Sequence, residues 1–404
     1  MSQSLFYQHL GVYGYQHVRS RKEKDGLHLT VRQKRENYWC ARCGSSRVHG
    51  KGTRHRSFRA PSIGCKPVWI SFAVPVVLCR DCGVEAQVRV GFAEPLKRHT
   101  RSFARQVLSL LEIATTWDVA RHLGVSWALV RSIEQDHLQR HFAKPKLRSL
   151  GTIAIDEIYS GKKGKYLTLV LDLESGAIVF VGEGKGAAAL SPFWKRLKAS
   201  HARVKAVAMD MSQAYISAVS THLPDAVLVF DHFHVIKLYN EKLTKLRRQL
   251  YREATDLLQK QVLKGILWLL LKNEENLDDS KRERTRLEAA LELNAPLATA
   301  YYLKEWLHEI WKQNSKVEAA VELEEWIQAA EATGIRVLRQ FAKTLRSHRR
   351  GILNYYDYRI SSGPMEGTNN KIKTMTRSAY GYRNKQYFKL KLHALHKTRF
   401  KLIG

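Results

Sequence analysis

Thr152-Ile153-Ala154-Ile155-Asp156-Glu157-Ile158 leads, after a Gly-Lys turn at Gly161–Gly164, to Tyr166-Leu167-Thr168-Leu169-Val170-Leu171-Asp172, a Glu174-Ser175-Gly176 turn and Ala177-Ile178-Val179-Phe180-Val181. Short apolar runs rich in β-branched residues and punctuated by glycine turns predict a three-stranded meander. Its first strand carries an acid in the middle. A carboxylate at Asp156, among isoleucines and with no adjacent lysine or arginine, costs several kcal/mol to desolvate unless a cation compensates it. A bound metal ion is the usual compensator. Glu157 falls on the opposite face of the strand and reads as structural.

Downstream, Val204–Asp210 is another short strand ending on an acid, with a helix expected from Ser212. Ala187–Ala199 predicts a helix before it, and Ala226–Asp231 a further strand after it. The order is therefore three strands, helix, strand, helix, strand. A third acid, Glu366, follows the turn at Ser361–Pro364, where Pro364 suits a first helical turn. From Glu366 to the end there are ten Lys and Arg and no other acid. Asn370, Lys373 and Arg377 recur at helical steps on the side of Glu366, placed to hold phosphates. Asp231 and His234 are candidate accessory groups beside the acids. Gly182–Gly186 lacks the spacing of a phosphate-binding loop and reads as a turn.

Between the second strand acid and Glu366 the composition changes. Val235, Leu238, Tyr239, Leu243, Leu246 and Leu250 have heptad-like spacing, and helix is expected to about Arg350. Residues 271–330 hold thirteen acids against eight bases, in a chain that is otherwise basic. Trp268, Trp306, Trp311 and Trp326 are expected to pack its interior, and the apolar run Ile266–Leu271 reads as a buried helix. Residues 237–350 thus read as a helical subdomain inserted into an α/β domain of residues 151–236 and 351–404.

The first sixty residues carry thirteen Lys and Arg against three acids. Cys40, Cys43, Cys79 and Cys82 form two Cys-x-x-Cys pairs, each followed by glycine, which permits the tight turn that brings backbone amides to the sulfurs. Four thiolates suit one tetrahedral structural zinc, so residues 1–95 read as a ribbon-like β module. Cys65 is expected to be a buried small hydrophobe. Residues 96–140 read as a helix-turn-helix. Ala120 is small where two helices cross, Gly124 makes the turn, Ser126 caps the second helix, and Trp127, Arg131 and Gln135 face outward toward a major groove. Residues 141–150 form a linker.

The whole chain of 404 residues has 68 Lys and Arg against 37 Asp and Glu, a net charge of +31. Such a balance calls for a polyanionic partner, with nucleic acid ahead of a membrane surface. No run approaches the roughly 18 apolar residues of a membrane span, and the N-terminus lacks the apolar core of a signal peptide. Paired cysteines fit metal ligation in a reducing cytosol better than a disulfide framework.

Ala154–Glu157, Val207–Ser212, Phe230–Val235 and Ser362–Ile372, with the zinc and helix-turn-helix patterns before them, resemble the bacterial insertion-sequence transposases of the DDE type, most closely the ISL-three family. The resemblance spans nearly the whole chain. It implies an RNase H-like catalytic domain with a helical insertion, in which Asp156, Asp210 and Glu366 hold two Mg²⁺ ions, replaceable by Mn²⁺, with Asp156 as the shared ligand. It further implies binding to the terminal inverted repeats, cleavage there and joining of 3′-hydroxyls to target DNA. A homodimer or larger assembly on double-stranded DNA, at the nucleoid in the cytoplasm, would follow. The alternative is a DNA-binding regulator that keeps the zinc and helix-turn-helix modules but has lost the chemistry.

Overall fold

The computed structural model describes residues 3–159, 166–361 and 363–397, so the turn at Gly161–Gly164 and Ser362 lie outside the described residues. The chain divides into two compact units. One runs to Ala143 and includes Ser378–Leu390; the other is Lys144–Arg377 with Lys391–His396. The segment 351–404, read from sequence as one piece, is divided between them.

The first unit is a twisted sheet followed by helices. Strands β1 (Tyr15–Glu23) and β2 (Gly26–Gln33) form one hairpin, and β3 (Val48–Ile63) and β4 (Lys66–Cys79) a longer one. With β5 (Glu85–Gln87), the order is β1-β2-β4-β3, β5 pairing with β4. β2 and β4 run parallel and the other pairs antiparallel. Alternation along β4 turns Val68, Ile70, Phe72 and Val74 to one core, which Phe58, Phe92 and Leu29 complete. The pairing Ile63↔Lys66 leaves Gly64 and Cys65 as the hairpin turn. Cys65 is therefore exposed, contrary to the buried position expected of it.

Three helices follow: Arg101–Leu110, Thr116–Leu123 and Trp127–Phe142. Thr100, Thr115 and Ser126 cap them, each accepting a backbone N–H three residues on. Gly124, at φ 62°, takes the left-handed conformation that closes the turn. Phe103, Val107, Val119, Ala120, Val130 and Ile133 bury together, so the helix-turn-helix forms as its spacing predicts. Its last helix continues to Phe142, and the linker starts later than residue 141.

The second unit is built on β6 (Thr152–Tyr159), β7 (Tyr166–Asp172), β8 (Ile178–Glu183), β9 (Ala206–Met209) and β10 (Val227–Phe230). Their order is β10-β9-β6-β7-β8. The first three form the antiparallel meander, and β9 and β10 add to β6 in parallel. The parallel crossovers carry helices Ser191–Ser200 and Gln213–His222. This is the RNase H-like topology, with Asp156 inside β6 and Asp210 directly after β9.

Helix His232–Glu253 leaves β10 and opens an all-helical insertion. Tyr239, Trp326 and Phe341 meet edge to face at its centre, with centroids 5.0–5.8 Å apart. Trp268 does not join them: it is 74% exposed on helix Leu267–Leu271, whose Leu269 and Leu270 take the inward positions. Helix Arg336–Leu353 brings the chain back to the sheet. A Cβ at Gly351 would lie 2.4 Å from the Phe230 ring, so only glycine permits this approach. One turn on, Asn354 donates to the Leu228 carbonyl at 2.9 Å. The insertion therefore ends docked against β10, close in sequence to Glu366.

Candidate active site and zinc centre

Register places the strand acids. Thr152 pairs with Ala206 and Ala154 with Ala208 in parallel; two further steps along each strand bring Asp156 opposite Asp210. The β9–β10 pairing, Phe230↔Met209, carries the same row to Asp231. Asp156, in the middle of β6, thus stands level with Asp210 and Asp231, which directly follow the last residues of β9 and β10. Asp156 is half-buried. Desolvation raises its carboxyl above the ordinary range, and the nearby Asp210 charge adds to this; the Glu157 N–H, His234 and Asn369 oppose it.

Asp156 Oδ1 accepts the Glu157 N–H at 2.7 Å, and Asp156 Oδ2 accepts Asn369 Nδ2 at 2.7 Å. Asn369 lies on helix Gly363–Ser378, three residues beyond Glu366, so the two share a face. The helix that carries the third acid is thereby tied to the strand that carries the first. Asn369 escaped the sequence reading, which took Asn370, Lys373 and Arg377 as the useful face; those three are exposed, while Asn369 makes the contact. The spacing of three from Glu366 was the available signal. Asp210 Oδ1 accepts the Ser212 N–H at 3.0 Å, which fixes the turn into the next helix.

Asp231 is buried, and its Oδ2 lies 3.2 Å from His234 Nδ1. That hydrogen bond, aided by the charges of Asp156 and Asp210, raises the His234 pKa against the effect of burial. On the other face of β6, Glu157 Oε1 accepts the Tyr215 hydroxyl at 2.5 Å and the Gly186 N–H at 3.0 Å. Glu157 anchors the turn at Gly182–Gly186 and a helix behind the sheet, as its strand position implied.

In the first unit, Cys40 Sγ lies 3.6 Å from Cys82 Sγ and Cys43 Sγ 3.6 Å from Cys79 Sγ, all four within 4.8 Å of one another. Among the described residues, the three acids form no group that tight. Each cysteine pair is a closed knuckle: Gly44 donates to the Cys40 carbonyl and Gly83 to the Cys79 carbonyl, both at 3.0 Å, with φ 77° and 67°. The N–H groups of Cys43 and Arg42 pull the Cys40 thiol down to about 6, and those of Cys82 and Asp81 lower Cys79. The neighbouring thiols and burial push Cys43 up to about 12 and raise Cys82 as well, so the four cannot all ionise together without a cation, and four sulfurs at this spacing fit a structural Zn²⁺.

On the helix-turn-helix, Trp127 is 42% exposed. Arg131 is half-buried, its guanidinium 5.0 Å over the Trp127 ring and 5.1 Å over the Tyr387 ring. The Tyr387 hydroxyl also meets the buried Glu134. The outward face is thus partly clothed by residues 378–390.

Family models match three successive parts of the chain. A transposase model of the DDE type and ISL3 group covers residues 153–392, a zinc finger of transposases IS204/IS1001/IS1096/IS1165 covers residues 36–82, and a helix-turn-helix domain of transposase family ISL3 covers residues 88–138. The chain is 32% identical over 321 residues to the transposase for insertion sequence element IS1001 of Bordetella parapertussis, covering 78% of each. It is 28% identical over 375 residues to the transposase for IS1557 of Mycobacterium tuberculosis, covering 86% of this chain and 83% of that one. Among the described residues no helix is long and apolar enough to cross a membrane.

Proposed function

The chain belongs to the ISL3 family of transposases, and on that premise we propose that it binds the terminal inverted repeats of its element, cleaves there and transfers the 3′-hydroxyl ends to target DNA. The observation that carries this reading is the row of Asp156 and Asp210 on neighbouring strands, with Asn369 joining the Glu366 helix to Asp156. An all-oxygen donor set with a desolvated carboxylate at its centre fits hard divalent cations. Asp156, Asp210 and Glu366 would hold two Mg²⁺, or Mn²⁺ in their place. When bound, such ions activate the attacking oxygen and neutralise charge on the leaving one.

The chain's own residues do the positioning. Asn369 orients Asp156 by donating to its Oδ2, leaving the other lone pairs directed into the site. His234, its ring held by Asp231 and its pKa raised by that hydrogen bond, assists beside the acids as an accessory residue. Asn370, Lys373 and Arg377 hold backbone phosphates along the exposed face of the Glu366 helix. Trp127 and Arg131 contact the repeat through the helix-turn-helix, and pairing of two ends requires a homodimer or larger assembly.

The test is incubation of a duplex carrying the element end with Mg²⁺ and the wild type, Asp156→Asn, Asp210→Asn or Glu366→Gln. Cutting by the wild type alone, with all four binding in the absence of metal, is the expected result. Equal binding with no cutting by any of them, in Mg²⁺ or Mn²⁺, would turn the reading toward a regulator.

A further inference from the structure

Between Glu36 and Asp81 there is no acid, while eight Lys and Arg occur. The fold gathers this imbalance onto β3. Among the described residues β4 is the one strand it pairs with, and the bridge on its outer edge lies at Arg59, in its second half. Its first half, from His49 to His55, is exposed, whereas Phe58–Pro61 are buried. Gly50 pairs with Val77 and Gly52 with Val76, which leaves Lys51 as the extra residue of a bulge. Gly52 has φ 118°, and a Cβ at either glycine would meet nothing within 4 Å. Arg54 lies opposite Val74 and His55 opposite Ala73, on opposite faces of the sheet.

The buried half of the same strand is fastened to the helix-turn-helix. Arg59, 2% exposed, has no carboxylate partner among its hydrogen bonds; it donates to the carbonyls of Ala60, Val68 and Leu123, the last being the end of the helix before the one that would enter the groove. Its guanidinium also sits 5.2 Å over the Phe103 ring. Backbone bonds Arg59 N–H to Arg98 O and Thr100 N–H to Arg59 O continue the tie at 2.9 Å. A fully desolvated charge bonded mainly to carbonyls holds one geometry or becomes costly.

We propose that the exposed half of β3 is a second DNA-binding surface, which grips the phosphodiester backbone of duplex DNA at a fixed offset from the helix-turn-helix. Lys51 and Arg54 supply the charge, and the absence of side chains at Gly50 and Gly52 allows close approach of a phosphate to the strand. Edge strands also carry lysine merely to discourage pairing with other chains. That role needs neither open glycines nor a rigid tie to the helix-turn-helix. The inference rests on the DNA-binding reading above and adds to it a place and a class of contact.

The experiment is fluorescence anisotropy of the full-length, zinc-loaded chain with a 40-base-pair duplex of random sequence, without divalent metal other than zinc, across a salt series. The wild type is compared with Lys51→Gln/Arg54→Gln and with a matched removal of two charges from the acidic insertion, Lys281→Gln/Arg286→Gln. Each phosphate that the protein no longer neutralises flattens the slope of log K against log salt by about 0.9, so the β3 variant is expected to lose about two units of slope. The insertion variant keeps the wild-type slope, and hydroxyl-radical protection shrinks by one backbone patch only in the β3 variant. Equal slopes and footprints in all three would overturn the second surface while leaving DNA binding intact. A wild type that fails to bind the duplex would overturn both.

Discussion

The cysteine cluster and the acidic site each gather side chains from distant parts of the chain, and they differ in what does the gathering. At the zinc centre two six-residue knuckles prepare pairs of sulfurs locally, each closed by its own glycine, and one long hairpin brings the pairs together. The four atoms converge within 4.8 Å. At the acidic site no local turn groups the carboxylates. Asp156 and Asp210 meet through strand register, and the helix that carries Glu366 follows the insertion, whose end docks Gly351 against Phe230. A site set by local turns is complete once its hairpin forms, whereas a site set by register and docking depends on the whole unit.

The largest separation between the two centres is expected on removing a cysteine. Structural zinc contributes on the order of 10 kcal/mol to small domains. Cys79→Ser should release the metal and abolish DNA binding, while the second unit keeps its helical circular dichroism; zinc content and spectra check this together. Loss of helix throughout would show that the two centres are not independent.

Next come the acids. Replacing Asp156 or Asp210 by Asn should slow cleavage by about a thousandfold or more, corresponding to the several kcal/mol of charge stabilisation that metal ligation supplies. Zinc content should not change. The positioning hydrogen bond is worth less. Asn369→Ala removes a bond to a charged group, about 1.5–3 kcal/mol, and should lower the cleavage rate by roughly ten- to a hundredfold with metal-free DNA binding intact. An unaffected rate would mean that Glu366 reaches the site without this tether.

Smaller effects distinguish the centres by their charge. Mg²⁺ at about ten times its dissociation constant stabilises by about 1.4 kcal/mol, so the melting temperature of the wild type should rise by a few degrees, and that of Asp156→Asn should not. An equal rise in both would place the ion elsewhere. The smallest effect concerns His234. Its folded pKa is raised by Asp231, so the stability it contributes is present below its ordinary value of about 6.5 and is lost as pH rises through the folded value. In metal-free protein, the melting temperature of His234→Gln should change less than that of the wild type between pH 6 and 8, by about 2 °C or less. Parallel pH profiles would remove the pair from the account of the site.

Much of this was legible in the residues. Apolar runs with glycine turns gave the meander, the Cys-x-x-Cys-Gly repeats gave the knuckles, and Ser126 with Gly124 gave the reading helix, because each depends on contacts within a few residues. Cys65 and Trp268 were misplaced for a related reason. Their residue types favour burial, but a hairpin turn and a helix rotation turned both outward. Asn369 was passed over because its neighbour Asn370 has the better spacing along the helix surface; which side of the helix meets β6 is set by packing.

The acids, thiols and helices proposed to act could be picked out from the residues alone, since periodicity, turn chemistry and ligand type are properties of short segments. No short segment could show that Asp156, Asp210 and Asp231 form one row, that Asn369 tethers the Glu366 helix, or that a buried Arg59 fastens a bare basic strand to the helix-turn-helix. Those outcomes follow from strand register and from the burial of groups far apart in the chain. Their energies depend on a dielectric environment that does not exist until the fold is complete.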